Sequence, residues 1–173
     1  MNGTLDSQIQ RYAPGRTLPS YRHRPGHTPH PRTHPHGHSY GTPEITTGLA
    51  LRPDNWLCHE TYLFGVDLFN FGYWWEAHEY WEALWRLEEK GSAARLFLQG
   101  LILLAAALLK EEAGNEQGHR RLLARGLARL AEVGQRVGPV CMGLDLAALR
   151  AEQGRVPALY LQNPSQSASR QPA

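Results

Sequence analysis

The stretch LFLQGLILLAAALL, residues 96–109, limits the folds open to this chain more than any other. At helical spacing it is apolar almost all the way round, so a helix here must be enclosed by other elements. It is shorter than the roughly 20 apolar residues that cross a bilayer, and Gln99 interrupts it, so no membrane span is expected. Signals on both sides of it agree. Ser92 can cap the helix, which then runs to about Ala113 with Gly114 past its end. A first helix is expected from about Asp54 to Phe71, stopped by Gly72, and a second from about Trp74 to Lys90, ended by Gly91. Asn115 can cap a fourth that reaches about Val137 before Gly138-Pro139 breaks it. A short fifth, DLAALRAEQ, starts at Asp145 and ends at Gly154. No stretch shows strand alternation bounded by turn signals. The expected fold class is therefore all-α: a compact bundle of about five helices over residues 54–154, built around one central apolar helix.

The flanks read differently. Residues 1–53 hold seven Pro between Pro14 and Pro43, and RHRPGHTPHPRTHPHGHSY carries six of the nine His. Such a segment buries too little apolar surface to offset the entropy of ordering, so a disordered Pro/His/Arg-rich leader is expected. The tail, 155–173, is expected to be extended or disordered, with VPALYLQ lying across the core. His34, His36 and His38 alternate and could jointly hold a soft divalent ion, although such tracts mostly bind metal weakly. The leader has six Arg against Asp6 and Glu44, so the formal charge of +2 leaves the rest of the chain slightly acidic. A row of Arg121, Arg125, Arg129 and Arg136 on the fourth helix consequently reads as a solvated face, and nucleic acid is not expected as a partner. Cys58 and Cys141 lack metal-type or disulfide-framework spacing, and no apolar signal segment opens the chain, so a reducing, cytoplasmic setting is expected.

Chemistry concentrates in FNFGYWWEAHEYWEALWR, residues 69–86. At about 100° per residue, Tyr73, Trp74, Ala77, Trp81, Leu84 and Trp85 share a core stripe. His78, Glu82, Trp75, Arg86 and Glu79 share a polar arc beside it, with Glu76 and Tyr80 further round. In one reading, His78 and Glu82 at i and i+4 converge on a divalent metal, with Glu79 as third ligand or general base. HEYWE stands one residue from the zinc-protease pattern H-E-x-x-H, with Glu82 in place of the second His, which favours a harder metal. Ligands from other helices would come from His59, Asp67, Gln99 or His119. In a second reading, Glu82 merely pairs with Arg86 one turn on and His78 sits at the core edge. In a third, GYWWEAHEYWEAL resembles a tetratricopeptide-like helix pair, with Trp75 and Tyr80 exposed to engage a protein partner or a second copy of the chain.

LFNFGYWWEAHEYWEALWR, FLQGLILLAAALLKEEAGNEQGHRRLLARGLARL and GLDLAALR together resemble the bacterial family known as domain of unknown function 309, over about Tyr62 to Arg150. The resemblance implies a small all-helical fold. It brings no established substrate or catalytic residue, although members are sometimes labelled predicted metal-dependent hydrolases. Carried onto matching positions, the motif points to Glu76, His78, Glu79, Glu82, Trp85, Arg86 and Gln99, while Lys110 stands where a His-containing pair is expected. The resulting expectation is a metal-dependent hydrolase with His78, Glu79 and Glu82 at the ion and Glu79 as proton shuttle. Glu76, Trp85, Arg86 and Gln99 would support it, Gln99 by hydrogen-bonding to the His78/Glu79/Glu82 arc. The alternative is a non-catalytic, tetratricopeptide-like interaction module.

Overall fold

The computed structural model describes residues 9–151, 156 and 158–162. The ends of the leader and tail, 1–8 and 163–173, and the last residues expected of the fifth helix lie outside the described residues. Four helices follow one another, α1 (Glu60–Asn70), α2 (Trp74–Trp85), α3 (Ala93–Glu112) and α4 (Glu116–Val137), each packed on the next. A two-stranded antiparallel hairpin, β1 (Val140–Cys141) and β2 (Leu144–Asp145), leads into the short α5 (Leu146–Ala151). The all-α expectation holds, with α3 packed between α2 and α4 and burying Phe97, Leu98, Leu101, Leu104, Ala105, Ala107 and Leu108.

Most boundaries follow the capping chemistry. The Ser92 hydroxyl accepts from the Arg95 amide at 3.1 Å and the Asn115 side chain accepts from the Gly118 amide at 2.8 Å. Asp145 does the same for α5, accepting from the amides of Ala147 and Ala148. Gly72, at φ +83°, ends α1 in a conformation that a Cβ would strain. Two boundaries differ from expectation. Asp54 does not cap α1; a 3₁₀ turn, Trp56–Cys58, intervenes, and α1 begins after His59. Helix α2 ends at Trp85, well short of Gly91, because Arg95 donates to the carbonyls of both Trp85 and Glu88, and Glu88 turns its carboxylate inward. The hairpin was not legible, since each strand has two residues; it closes over Met142 and Gly143, at φ 47° and 79°, the pair of positive φ values that a tight hairpin requires.

Close approach sets the helix spacing. A Cβ on Gly65 would run into the indole of Trp81, so α1 and α2 can touch only where Gly stands. A Cβ on Gly100 would meet the Leu130 side chain at 2.7 Å, which fixes the crossing of α3 and α4 in the same way.

The leader is the main departure. Within residues 9–53 no helix or strand forms, yet the segment is not free of the bundle: Ala13, His23 and Leu51 are buried. Composition misjudged it because polar anchors hold it rather than apolar area. Asp67, fully buried in α1, accepts from the Tyr12 amide at 2.7 Å, the Ala13 amide at 2.9 Å and the Arg11 guanidinium at 2.8 Å. Glu76 accepts from the His23 amide at 2.9 Å and lies 2.8 Å from His38 Nε2. Glu88 accepts from the Leu51 amide at 3.0 Å. Arg22 and Arg24 both reach Glu112 near the end of α3. The leader is a strap laid over the bundle.

The tail is strapped too. Leu159 is buried, and the Asn70 amide side chain clasps its backbone through both a donated and an accepted hydrogen bond.

Gly65→Ala should cost about 1–3 kcal/mol in urea denaturation, the usual penalty of overpacking a tight crossing; a change within a few tenths would show that the α1–α2 contact is not limiting.

Candidate metal centre

Helix α2 places His78, Glu79 and Glu82 on one half-exposed arc. The His78 Nδ1 atom lies 3.6 Å from a Glu79 oxygen and 3.9 Å from a Glu82 oxygen. One ligand atom from each residue falls within 4.8 Å of the others, and among the described residues this is the one His/Cys/Asp/Glu group so arranged. The i, i+1, i+4 spacing produces it: His78 and Glu82 stack one turn apart, and Glu79 leans in from the neighbouring position. Glu82 serves two partners, because its other oxygen accepts an ion pair from Arg86 at 3.1 Å. The metal and structural readings of the arc therefore coexist in one geometry. One imidazole and two carboxylates form a borderline-to-hard donor set that fits Zn²⁺, Mn²⁺ or Fe²⁺ with positions left for substrate or water.

The electrostatics suit that role. The neighbouring imidazole of His78, then the charges of Arg32 and Arg86, draw the Glu79 carboxyl below its ordinary value against the opposing effect of burial. Glu79 is thus a carboxylate at neutral pH, a ligand or base rather than an acid.

Beside the cluster, the strap and helices α1 and α2 line a half-open cavity of about 460 Å³. Glu79 stands in its wall together with Arg16, Arg32, Glu76, Trp75 and Tyr80. A smaller cleft of about 50 Å³ brings Glu44 and Arg32 of the strap against Glu79, Glu82 and Arg86. Arg16 is fixed in place: it donates to the Tyr80 hydroxyl at 2.7 Å and lies 4.9 Å from the centre of the Phe64 ring.

Of the residues expected at the site, His78, Glu79, Glu82 and Arg86 come together. Glu76 does not join them; it is buried beneath the strap as an anchor for His23 and His38, and its Oε2 is buried without a hydrogen-bond partner among the described residues. Trp85 instead packs under the Arg95 guanidinium at 3.7 Å. Gln99 is half-buried on α3, and among the described residues its side chain makes no hydrogen bond to the arc. The further ligands considered are engaged elsewhere: His59 with the Leu49 carbonyl, Asp67 with the strap, His119 with the Ala107 carbonyl. His38, turned inward to Glu76, leaves the alternating His tract without a converging set. Trp75 and Tyr80, expected to be exposed, are covered: His23 and His30 pack edge-on against Trp75, and Arg16 holds Tyr80. The Arg row of α4 is a solvated face in part, with Arg129 and Arg136 both paired to Glu132.

Sequence reasoning missed Glu88, Arg16 and Arg32, and it weighed Asp67 as a metal ligand and not as the anchor of the strap. The signal for Asp67 was present: a lone acid within ETYLFGVDLFN, where a buried carboxylate must find donors. Nothing in the sequence said that the donors would be backbone amides from the leader.

These features define a small helical-bundle domain with an imidazole–carboxylate cluster on its second helix. Residues 62–122, a segment that runs from α1 into α4, match the model of the family described as Domain of unknown function (DUF309). No curated protein and no solved structure matches the chain. The strap lies outside the matched segment, whereas Asp67, Glu76 and Glu88, the carboxylates that hold it, lie inside.

Glu76→Ala should release the strap around His23 and His38. Trypsin is expected to cut at Arg22 and Arg32 markedly faster than in the parent chain, with about 1–3 kcal/mol of stability lost. Unchanged cleavage would show that this anchor does not hold the segment.

Proposed function

We propose that this domain is a divalent-metal-dependent hydrolase of small polar molecules, with His78 and Glu82 holding the ion and the strap-lined cavity receiving the substrate. The observation that carries the reading is the position of Glu79: it belongs both to the ligand cluster and to the wall of the 460 Å³ cavity. A bound ion would supply Lewis acidity toward an attacking water or a polarised substrate oxygen. The chain's own residues do the rest. Glu79, kept ionised by His78 and the nearby arginines, accepts a proton from the attacking water. Arg86 orients Glu82 from the side away from His78. The strap forms one side of the half-open cavity and brings Arg16 and Arg32 to it.

The interaction-module alternative has less support, since its two aromatic anchors, Trp75 and Tyr80, already have a partner in the chain's own leader.

Calorimetric titration with Mn²⁺ and Zn²⁺ of the full chain and of a His78→Ala/Glu82→Ala double variant tests the proposal, because the leader histidines are the same in both. One ion per chain should be lost, or weakened more than about 10-fold, in the variant. Equal uptake by the two proteins would rule the site out.

A further inference from the structure

The strap brings to the cluster a guanidinium that ties down no other part of the fold. Arg32 lines both the large cavity and the cleft over Glu79 and Glu82, and it is half-buried. Among the described residues its guanidinium makes no hydrogen bond or ion pair, whereas Arg16 is tied to Tyr80 and Arg86 to Glu82. A half-buried, unpaired guanidinium facing a polar cavity is a preformed seat for an oxyanion.

Charge decides when that seat can be taken. Around the cavity and cleft, Glu44, Glu76, Glu79 and Glu82 face Arg16, Arg32 and Arg86, an excess of one negative charge. An anion is disfavoured there until a divalent ion reverses the sign. Hydroxyl donors also line the cavity, from Thr17, Ser39, Thr42, Thr46 and Thr61. The volume of about 460 Å³ suits a metabolite-sized molecule.

Resting on the metal-dependent reading above, we infer that the substrate is a small phosphate ester, whose phosphate bridges Arg32 of the strap and the ion held by His78 and Glu82. Phosphate is favoured over carboxylate because it offers three terminal oxygens and up to two negative charges to a site with both a guanidinium fork and a cation. The reaction balances as hydrolysis. Water attacks phosphorus, the P–O ester bond breaks, and inorganic phosphate and an alcohol are released. Glu79 takes the water proton and passes it to the departing alkoxide oxygen. Binding of ion and anion is reciprocal, each tightening the other.

The test is a two-stage titration of the full chain. Mn²⁺ is titrated first, without phosphate, into the parent protein and Arg32→Ala; inorganic phosphate is then titrated into the Mn²⁺-loaded and metal-free forms of each. Because the Arg32 side chain makes no hydrogen bond or ion pair among the described residues, both proteins should fold, and Arg32→Ala should take Mn²⁺ at least as tightly as the parent, one positive charge near Glu79 being gone. Phosphate should bind the loaded parent at least about 10-fold more tightly than the metal-free parent, and at least about 10-fold more tightly than loaded Arg32→Ala. Acetate at equal concentration should not displace it, and Arg32→Lys should recover part of the affinity. Phosphate binding that ignores either Mn²⁺ or Arg32→Ala would overturn the inference, as would equal displacement by acetate. If the parent chain takes no Mn²⁺ in the first stage, the metal-dependent reading falls and the inference falls with it.

Discussion

Asp67 sets the terms for the rest of this molecule. Its carboxylate lies fully buried in α1 and receives two consecutive backbone amides and a guanidinium from the leader. A carboxylate taken out of water carries a desolvation cost of several kcal/mol unless donors replace the lost hydration. Charge-assisted hydrogen bonds of this kind are roughly twice as strong as neutral ones. Glu76 and Glu88 repeat the device further along the strap. A Pro/His-rich segment with few apolar side chains is thus fixed to a helical bundle chiefly by acceptors that the bundle supplies.

That anchoring also makes the cavity. Helices α1 and α2 alone provide a wall of Phe64, Trp75 and Tyr80; the strap adds the opposite side with Arg16, Arg32 and residues 42–46. The His78–Glu79–Glu82 cluster is generated locally by one helix, but the half-open space beside it is not. The chemistry proposed for the domain therefore depends on both a segment within the family match and one outside it. Between the His38–Glu76 and Leu51–Glu88 anchors, none of residues 43–48 hydrogen-bonds to the helices, so this side of the cavity hangs between two fixed points.

Much of the architecture was legible because its signals are local. Ser92, Asn115 and Asp145 cap where their side chains suggest, and the apolar run of α3 occupies the middle of the row. The convergence of His78, Glu79 and Glu82 followed from helical spacing alone. What failed was non-local. Gln99 is on the adjoining helix, and sequence spacing cannot say whether its amide reaches the arc. Glu76 was expected to support the site through its place in the motif, whereas the strap makes it a buried anchor for His23 and His38. The leader itself defeated compositional reasoning, which weighs apolar area and not the capacity of distant carboxylates to receive backbone donors.

Amide hydrogen exchange on the full chain addresses this most directly, read at Tyr12, Ala13, His23 and Leu51, the amides donated to buried carboxylates. Exchange slowed to the range of the bundle's own edge amides, and accelerated at Tyr12 and Ala13 alone by Asp67→Ala, is the expected result. Exchange at unfolded-chain rates at all four positions would contradict the strap and, with it, the cavity that the strap lines.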